Sequence, residues 1–221
     1  MPFHSRRALV ALIIGASVAR SSSAQSPTAT LDRATAAWEK VRTARASFEQ
    51  TITNALTGSS ASARGEFQQQ RPGKLAIRFA EPNGDRIVAD GKTVWIYLPS
   101  SAPGQVVKRA ARDAAAMPID ITSQFLDDPR GKYDVTAAGT TTIDGRTVTG
   151  LLLVPKVAAN APFTKATIWV DDGDALIRQF ELVEPSGITR RVRITSLDLN
   201  VPVDRDAFTF KPPPGVKVLE R

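Results

Sequence analysis

Apolar and polar residues alternate strictly between Lys74 and Phe79, with Leu75, Ile77 and Phe79 on one side and Lys74, Ala76 and Arg78 on the other. A period of two residues marks a strand that is apolar on one face and wet on the other. The same alternation recurs along the chain. Residues 46–56 place Phe48, Ile52 and Leu56 on one side, and further runs follow at 62–70, 85–99, 133–154, 166–183, 188–199 and 208–218. Asp90-Gly91, Asp144-Gly145 and Asp172-Gly173 each separate two such runs, as tight hairpin turns require. The pattern predicts about ten strands at the spacing of a sheet, sandwich or barrel.

Two stretches depart from it. In residues 30–42, Leu31, Ala34, Trp38 and Val41 recur at helical spacing behind Thr30 or Asp32 as a cap, which predicts one opening helix. Residues 112–128 are alanine-rich, are broken at Met117-Pro118 and then carry Ile119, Ile121, Phe125 and Leu126. They read as two short helical pieces with an apolar side. The chain is therefore mainly β with a few helices.

The first residues change the picture of where the chain works. Arg6 and Arg7 precede the apolar run Ala8 to Val18, and Ser22-Ser23-Ala24 ends it in small residues. These are the parts of a secretory signal peptide cleaved after Ala24, because a membrane span needs roughly 20 apolar residues. Residues 25–221 then form a single domain, expected to be a soluble monomer of the extracytoplasmic space. Loss of Arg6, Arg7 and Arg20 takes the formal charge from +7 to +4. No basic run is interleaved with aromatics, so nucleic acid is not an expected partner. The chain has no cysteine, which excludes a disulfide scaffold and an acylated amino-terminal cysteine.

Catalytic chemistry finds little to work with. The single histidine, His4, leaves with the signal peptide. No imidazole base, thiolate nucleophile or zinc site of ordinary ligands remains, and no metal or cofactor is expected. Two acidic clusters, Asp127-Asp128 and Asp171-Asp172 with Asp174, fit calcium ligands or, more commonly, turn formers. The expectation is a protein that is not an enzyme and acts through a surface or a cavity.

A cavity is what the alternation suggests. One helix and two short broken pieces cannot tightly cover the apolar face of so many strands, and an incompletely filled apolar interior is a ligand site. Its candidate wall is Phe48, Ile52, Phe67, Leu75, Ile77 and Phe79, with Phe125 from the broken helical stretch. From the strand at 93–98 either Val94 with Ile96 or Trp95 with Tyr97 joins them, and Trp95 is the residue carried forward.

Four stretches resemble the periplasmic outer-membrane lipoprotein carrier proteins of diderm bacteria, the LolA type. "VRTARASFEQ" at 41–50 resembles the family's V-x-x-x-x-A-S-F-x-Q, and "RPGKLAIRF" at 71–79 its R-P-x-x-[LF] strand. "ADGKTVWIYLP" at 89–99 and "FTFKPPPGVKV" at 208–218 resemble two further family motifs. The resemblance implies an unclosed antiparallel half-barrel capped by a helical lid. It also implies carriage of acylated lipoproteins from an inner-membrane ABC transporter to an outer-membrane acceptor. Arg71 aligns with a family arginine that hydrogen-bonds the closed lid, Trp38 falls on a lid-facing position, and Leu75 and Ile77 fall among the cavity residues. A periplasmic lipid-binding sensor of the same fold is the alternative.

Overall fold

The computed structural model describes residues 26–111 and 121–220. The expected signal peptide and the first part of the broken helical stretch, residues 112–120, lie outside them. The opening helix, α1, runs Pro27–Glu39, three residues earlier at both ends than its apolar spacing predicts. The reason is local. The Ser26 hydroxyl accepts the Ala29 amide at 3.2 Å, and Pro27 occupies the first turn, where its missing N–H costs nothing. Thr30 is buried instead of capping, and Asp32 pairs with Arg130.

Six strands follow: β1 (Thr43–Asn54), β2 (Ser60–Gln70), β3 (Lys74–Glu81), β4 (Arg86–Asp90), β5 (Thr93–Tyr97) and β6 (Gln105–Ala110). Two short helices, α2 (Ile121–Leu126) and α3 (Pro129–Lys132), lead to β7 (Tyr133–Ile143), β8 (Arg146–Pro155), β9 (Lys165–Asp171), β10 (Ile177–Val183) and β11 (Ile188–Leu199). A final strand, β12 (Lys217–Glu220), brings the described total to twelve where the alternation suggested ten. All belong to one sheet in the order β12-β6-β5-β4-β3-β2-β1-β11-β10-β9-β8-β7. Its two edges are not joined, so the half-barrel is unclosed, as expected. The Asp144-Gly145 turn puts both residues at positive φ, 49° and 76°, which fits the twist of the hairpin β7–β8.

The pairing of β1 with β11 joins the amino-terminal and carboxy-terminal halves of the sheet. The three helices lie over the carboxy-terminal half. Leu31, Ala34 and Trp38 of α1 and Val41 just beyond it meet Phe125 of α2, Leu151 and Leu153 of β8, Ile168 of β9 and Phe180 of β10 in the main core. A smaller cluster of Leu75, Ala89 and Val94 packs the far ends of β3–β5. On the outer face, Ala76 is covered by Ala207 and Phe208 of the carboxy-terminal arm.

A charged knot holds the turn between β9 and β10. The sheet register shifts between Ile177 and Gln179, and Arg178, with a nearly buried side chain, donates to Asp171 Oδ2 at 3.0 Å and to Asp174. Arg146 donates to the same Asp171 oxygen at 2.9 Å and the Gly173 amide to Oδ1 at 2.8 Å. Of the two readings open for this acidic cluster, these bonds fit the turn. Arg33 of α1 then donates to the Asp172 carbonyl at 2.9 Å, tying the helix to the turn.

Two tests follow from this packing. Gly65 of β2 passes close to β3: a Cβ there would stand 2.4 Å from the Arg78 carbonyl oxygen and 3.0 Å from the Phe48 ring. Gly65→Ala is expected to cost about 2 kcal/mol and lower the melting temperature by about 5 °C; a variant that melts with the wild type contradicts the close approach. The second test concerns acid. Burial alone raises the Asp171 carboxyl, but the Gly173 amide and the Arg146 and Arg178 side chains outweigh it and hold the group below its ordinary value. A lowered folded-state pKa gives stability that is present above the unfolded value and lost as pH falls through the folded one. The wild type should therefore lose part of its urea stability below about pH 4. Asp171→Asn should be weaker at pH 7 by about 2 kcal/mol and lose less on acidification. Parallel pH curves would exclude the knot as a source of acid sensitivity.

Candidate functional site

Where the helices stop, the concave face opens into a cavity of about 660 Å³. Its wall is set by register. Phe48 of β1 lies opposite Gly65 of β2, which lies opposite Phe79 of β3, and the two rings meet edge to face at 5.6 Å across the glycine. Phe67 pairs with Ile77, Ile77 with Ile87 and Ile87 with Ile96, so one row of side chains crosses four strands on the inner face. Phe180, Val192 and Ile194 supply the wall from β10 and β11, and Trp38 and Leu126 close it from the helices.

Of the residues singled out in the sequence, Trp38, Phe48, Ile52, Phe67, Ile77 and Phe79 stand together on this wall. Three others stand elsewhere. Leu75 shares the inner face but is only 3% exposed, packed against Ala89 and Val94. Phe125 is fully buried in the main core, with its ring 5.9 Å from Phe163 and 5.6 Å from Phe180. Trp95 points to the outer face, where Phe210 stacks beside it at 5.5 Å and the Lys108 ammonium lies 5.6 Å from its ring. Val94 and Ile96 take the inner positions. Alternation gives the phase of a strand only up to a flip, and a cover for an outer tryptophan came from a segment more than a hundred residues away.

Arg71 sits at the end of β2 beside the carboxy-terminal end of α1. Its Nη1 donates to the Trp38 carbonyl at 2.9 Å and reaches the Val41 carbonyl at 3.5 Å, and its guanidinium carbon lies 5.9 Å from the Trp38 ring. The last carbonyls of a helix have no partner within it and carry partial negative charge, so a fixed cation there both bonds and complements them. The residue that lines the cavity, Trp38, is thus held by the strand that supplies Phe67 to the same wall.

Several lining residues have no counterpart in the sequence reading. Gln50, Asp85, Ser100 and Arg190 bring polar atoms to an otherwise apolar wall. Gln50 Oε1 accepts from Arg190 at 3.1 Å, and Arg190 also pairs with Glu184 at 3.3 Å. Asp85 accepts the Ser100 amide at 3.0 Å together with its hydroxyl. The signal for Arg190 was there: Ile188, Arg190, Val192 and Ile194 alternate, and one arginine interrupts an apolar face.

The family profile described as "Outer membrane lipoprotein carrier protein LolA" matches residues 39–211. An outer-membrane lipoprotein carrier protein of Edwardsiella ictaluri is 34% identical over 179 residues, covering 80% of this chain and 80% of its own. A carrier of the same name from Proteus mirabilis is 27% identical over 180 residues, covering 81% and 82%. Among solved structures, an uncharacterized conserved protein from Thermus thermophilus superposes with a TM-score of 0.55 at 13% identity, over 89% of this chain and 100% of its own, a likeness of fold alone.

The Arg71 contacts generate a further test. Arg71→Leu removes the charged donor from the Trp38 carbonyl, which keeps only backbone amides such as that of Val41 at 3.0 Å, a loss of roughly 1.5 kcal/mol. Amide exchange in α1 should quicken about tenfold while β1 and β11 stay protected. Unchanged exchange in α1 would show that packing alone holds the helix.

Proposed function

The chain belongs to the outer membrane lipoprotein carrier protein family, and on that premise we propose how it works. It carries lipoproteins, and the concave cavity shelters their acyl chains. Each methylene withdrawn from water is worth about 0.8 kcal/mol, so an acylated protein cannot cross an aqueous space unaided. The observation that carries this reading is the apolar wall itself. Phe48, Phe67, Ile77, Phe79 and Ile96 stand on one face of a continuous sheet and line an open cavity that Trp38 and Leu126 bound from the helix side, whereas the other half of the same face is filled by α1 and α2.

In the cycle we propose, residues 1–24 direct export and are removed, and the remaining chain works in the periplasm as a monomer. It accepts cargo from an inner-membrane ABC transporter and yields it to an outer-membrane acceptor, with no covalent step of its own. Consistent with an aqueous carrier, no helix among the described residues is long and apolar enough to cross a membrane. Arg71 steadies α1 over the empty cavity, so that the unloaded protein does not leave its apolar wall in water.

The test is release of a labelled lipoprotein from ATP-energised inner-membrane vesicles into the soluble fraction, in a complex with the added protein. Two neighbouring substitutions separate wall from core. Ile77, half-buried on the cavity wall, should tolerate Ile77→Glu with a loss of about 1 kcal/mol or less yet release at least tenfold less cargo, because acyl chains need a dry wall. Leu75→Glu, in the packed cluster, should instead cost several kcal/mol and melt the protein at a much lower temperature. Equal melting of the two variants would contradict an open wall at Ile77.

A further inference from the structure

The polar atoms of the cavity are not scattered. Gln50 lies opposite Ala63 near the distal end of β1, and Arg190 lies opposite Ile52 at the start of β11. Asp85 precedes β4 at the end of β3 that pairs with Arg64, on the same side of the sheet. Arg71 and the α1 terminus sit at the opposite end, where Thr43 pairs with Gln70. The cavity thus has a helix-closed apolar end and a polar end.

We propose, building on the reading of the cavity as an acyl-chain site, that Gln50, oriented by Arg190 and Glu184, binds the ester and amide carbonyls where acyl chains join their headgroup. Gln50 is 9% exposed and lines the cavity. Its Oε1 is occupied by Arg190, which leaves its NH2 donors without a partner among the described residues. These donors face the cavity, and once acyl chains fill it and displace its water, only a ligand acceptor can replace the hydrogen bonds that water gave them.

Charge decides which acceptor fits. The Arg190 cation is offset by Glu184, and the Asp85 carboxylate adds negative charge at the same end of the strands. A free carboxylate or phosphate gains little from such a neutral to acidic rim and loses its own hydration on entry. A cation would meet the donor end of Gln50. A neutral carbonyl meets an aligned donor and loses far less hydration. The polar end therefore takes the linkage region of an acylated molecule, with the tails running toward α1 and the peptide leaving past the strand ends.

The probes that test this are two synthetic cysteinyl peptides. One carries three palmitoyl groups through its natural ester and amide links; the other carries the same chains with the ester carbonyls replaced by ether methylenes. Displacement of an apolar fluorescent dye from the purified protein gives an apparent Kd for each. Wild-type protein should prefer the ester form about tenfold, the worth of one well-placed hydrogen bond. In Gln50→Glu, which keeps the shape and the contact with Arg190 but turns the donor into an acceptor, the ratio should fall to about one. Gln50→Met removes the donors without adding charge and should give the same ratio if a carboxylate near Glu184 unsettles the fold. A purely structural glutamine would change both affinities together and leave the ratio intact, which overturns the proposal. Preference for palmitate over methyl palmitate would overturn it in favour of an anion site. Failure of wild-type protein to bind either peptide would instead sink the carrier reading beneath it.

Discussion

A curved sheet has more apolar surface on its concave side than a few short helices can cover, and here that mismatch governs everything else. α1, α2 and α3 together cover the β7–β10 half, where Leu31, Trp38, Phe125 and Phe163 fill the space as an ordinary core. The β1–β5 half keeps its phenylalanines and isoleucines on the same inner face, where among the described residues Trp38 and Leu126 bound an open cavity instead of filling it. Such a wall is expensive to expose to water at roughly 25 cal/mol per Å². On the function proposed above, Arg71 holds the end of α1 at the boundary and hydrophobic cargo covers the remainder. Stability and function are therefore set by how the same face is divided.

The helices are tied to the sheet by more than their packing in the main core: Arg71 bonds the end of α1, Arg33 bonds the Asp172 carbonyl, and Asp32 pairs with the exposed Arg130.

How much of this could be read from the residues follows the same division. Strand existence, the hairpin turns and the inner face of β3 were legible, because alternation is a local property of a half-buried strand. The phase of β5 was not. Trp95 and Ile96 are equally apolar neighbours, and the choice between them depends on Phe210, which returns from the far end of the chain to cover the outer face. Leu75 and Ile77 are likewise indistinguishable by pattern, yet one is buried against Val94 and the other, half-buried at the edge of the same cluster, lines the cavity. The start of α1 was misplaced because the apolar spacing begins at Leu31, whereas the capping chemistry lies upstream in Ser26 and Pro27. The polar end of the cavity was missed although one arginine in the apolar alternation of β11 announced it.

The central claim is that acyl chains lie against the inner face of the sheet. Adjacent residues of β5 test it within one strand, since Ile96 faces the cavity and Trp95 faces away. A photo-crosslinking benzophenone amino acid placed at position 96 or at position 95, irradiated in protein loaded with a native lipoprotein, reads contact with the cargo directly. The account predicts adducts on the acyl chains from position 96 and none from position 95. Equal adducts from both, or adducts from position 95 alone, would contradict it.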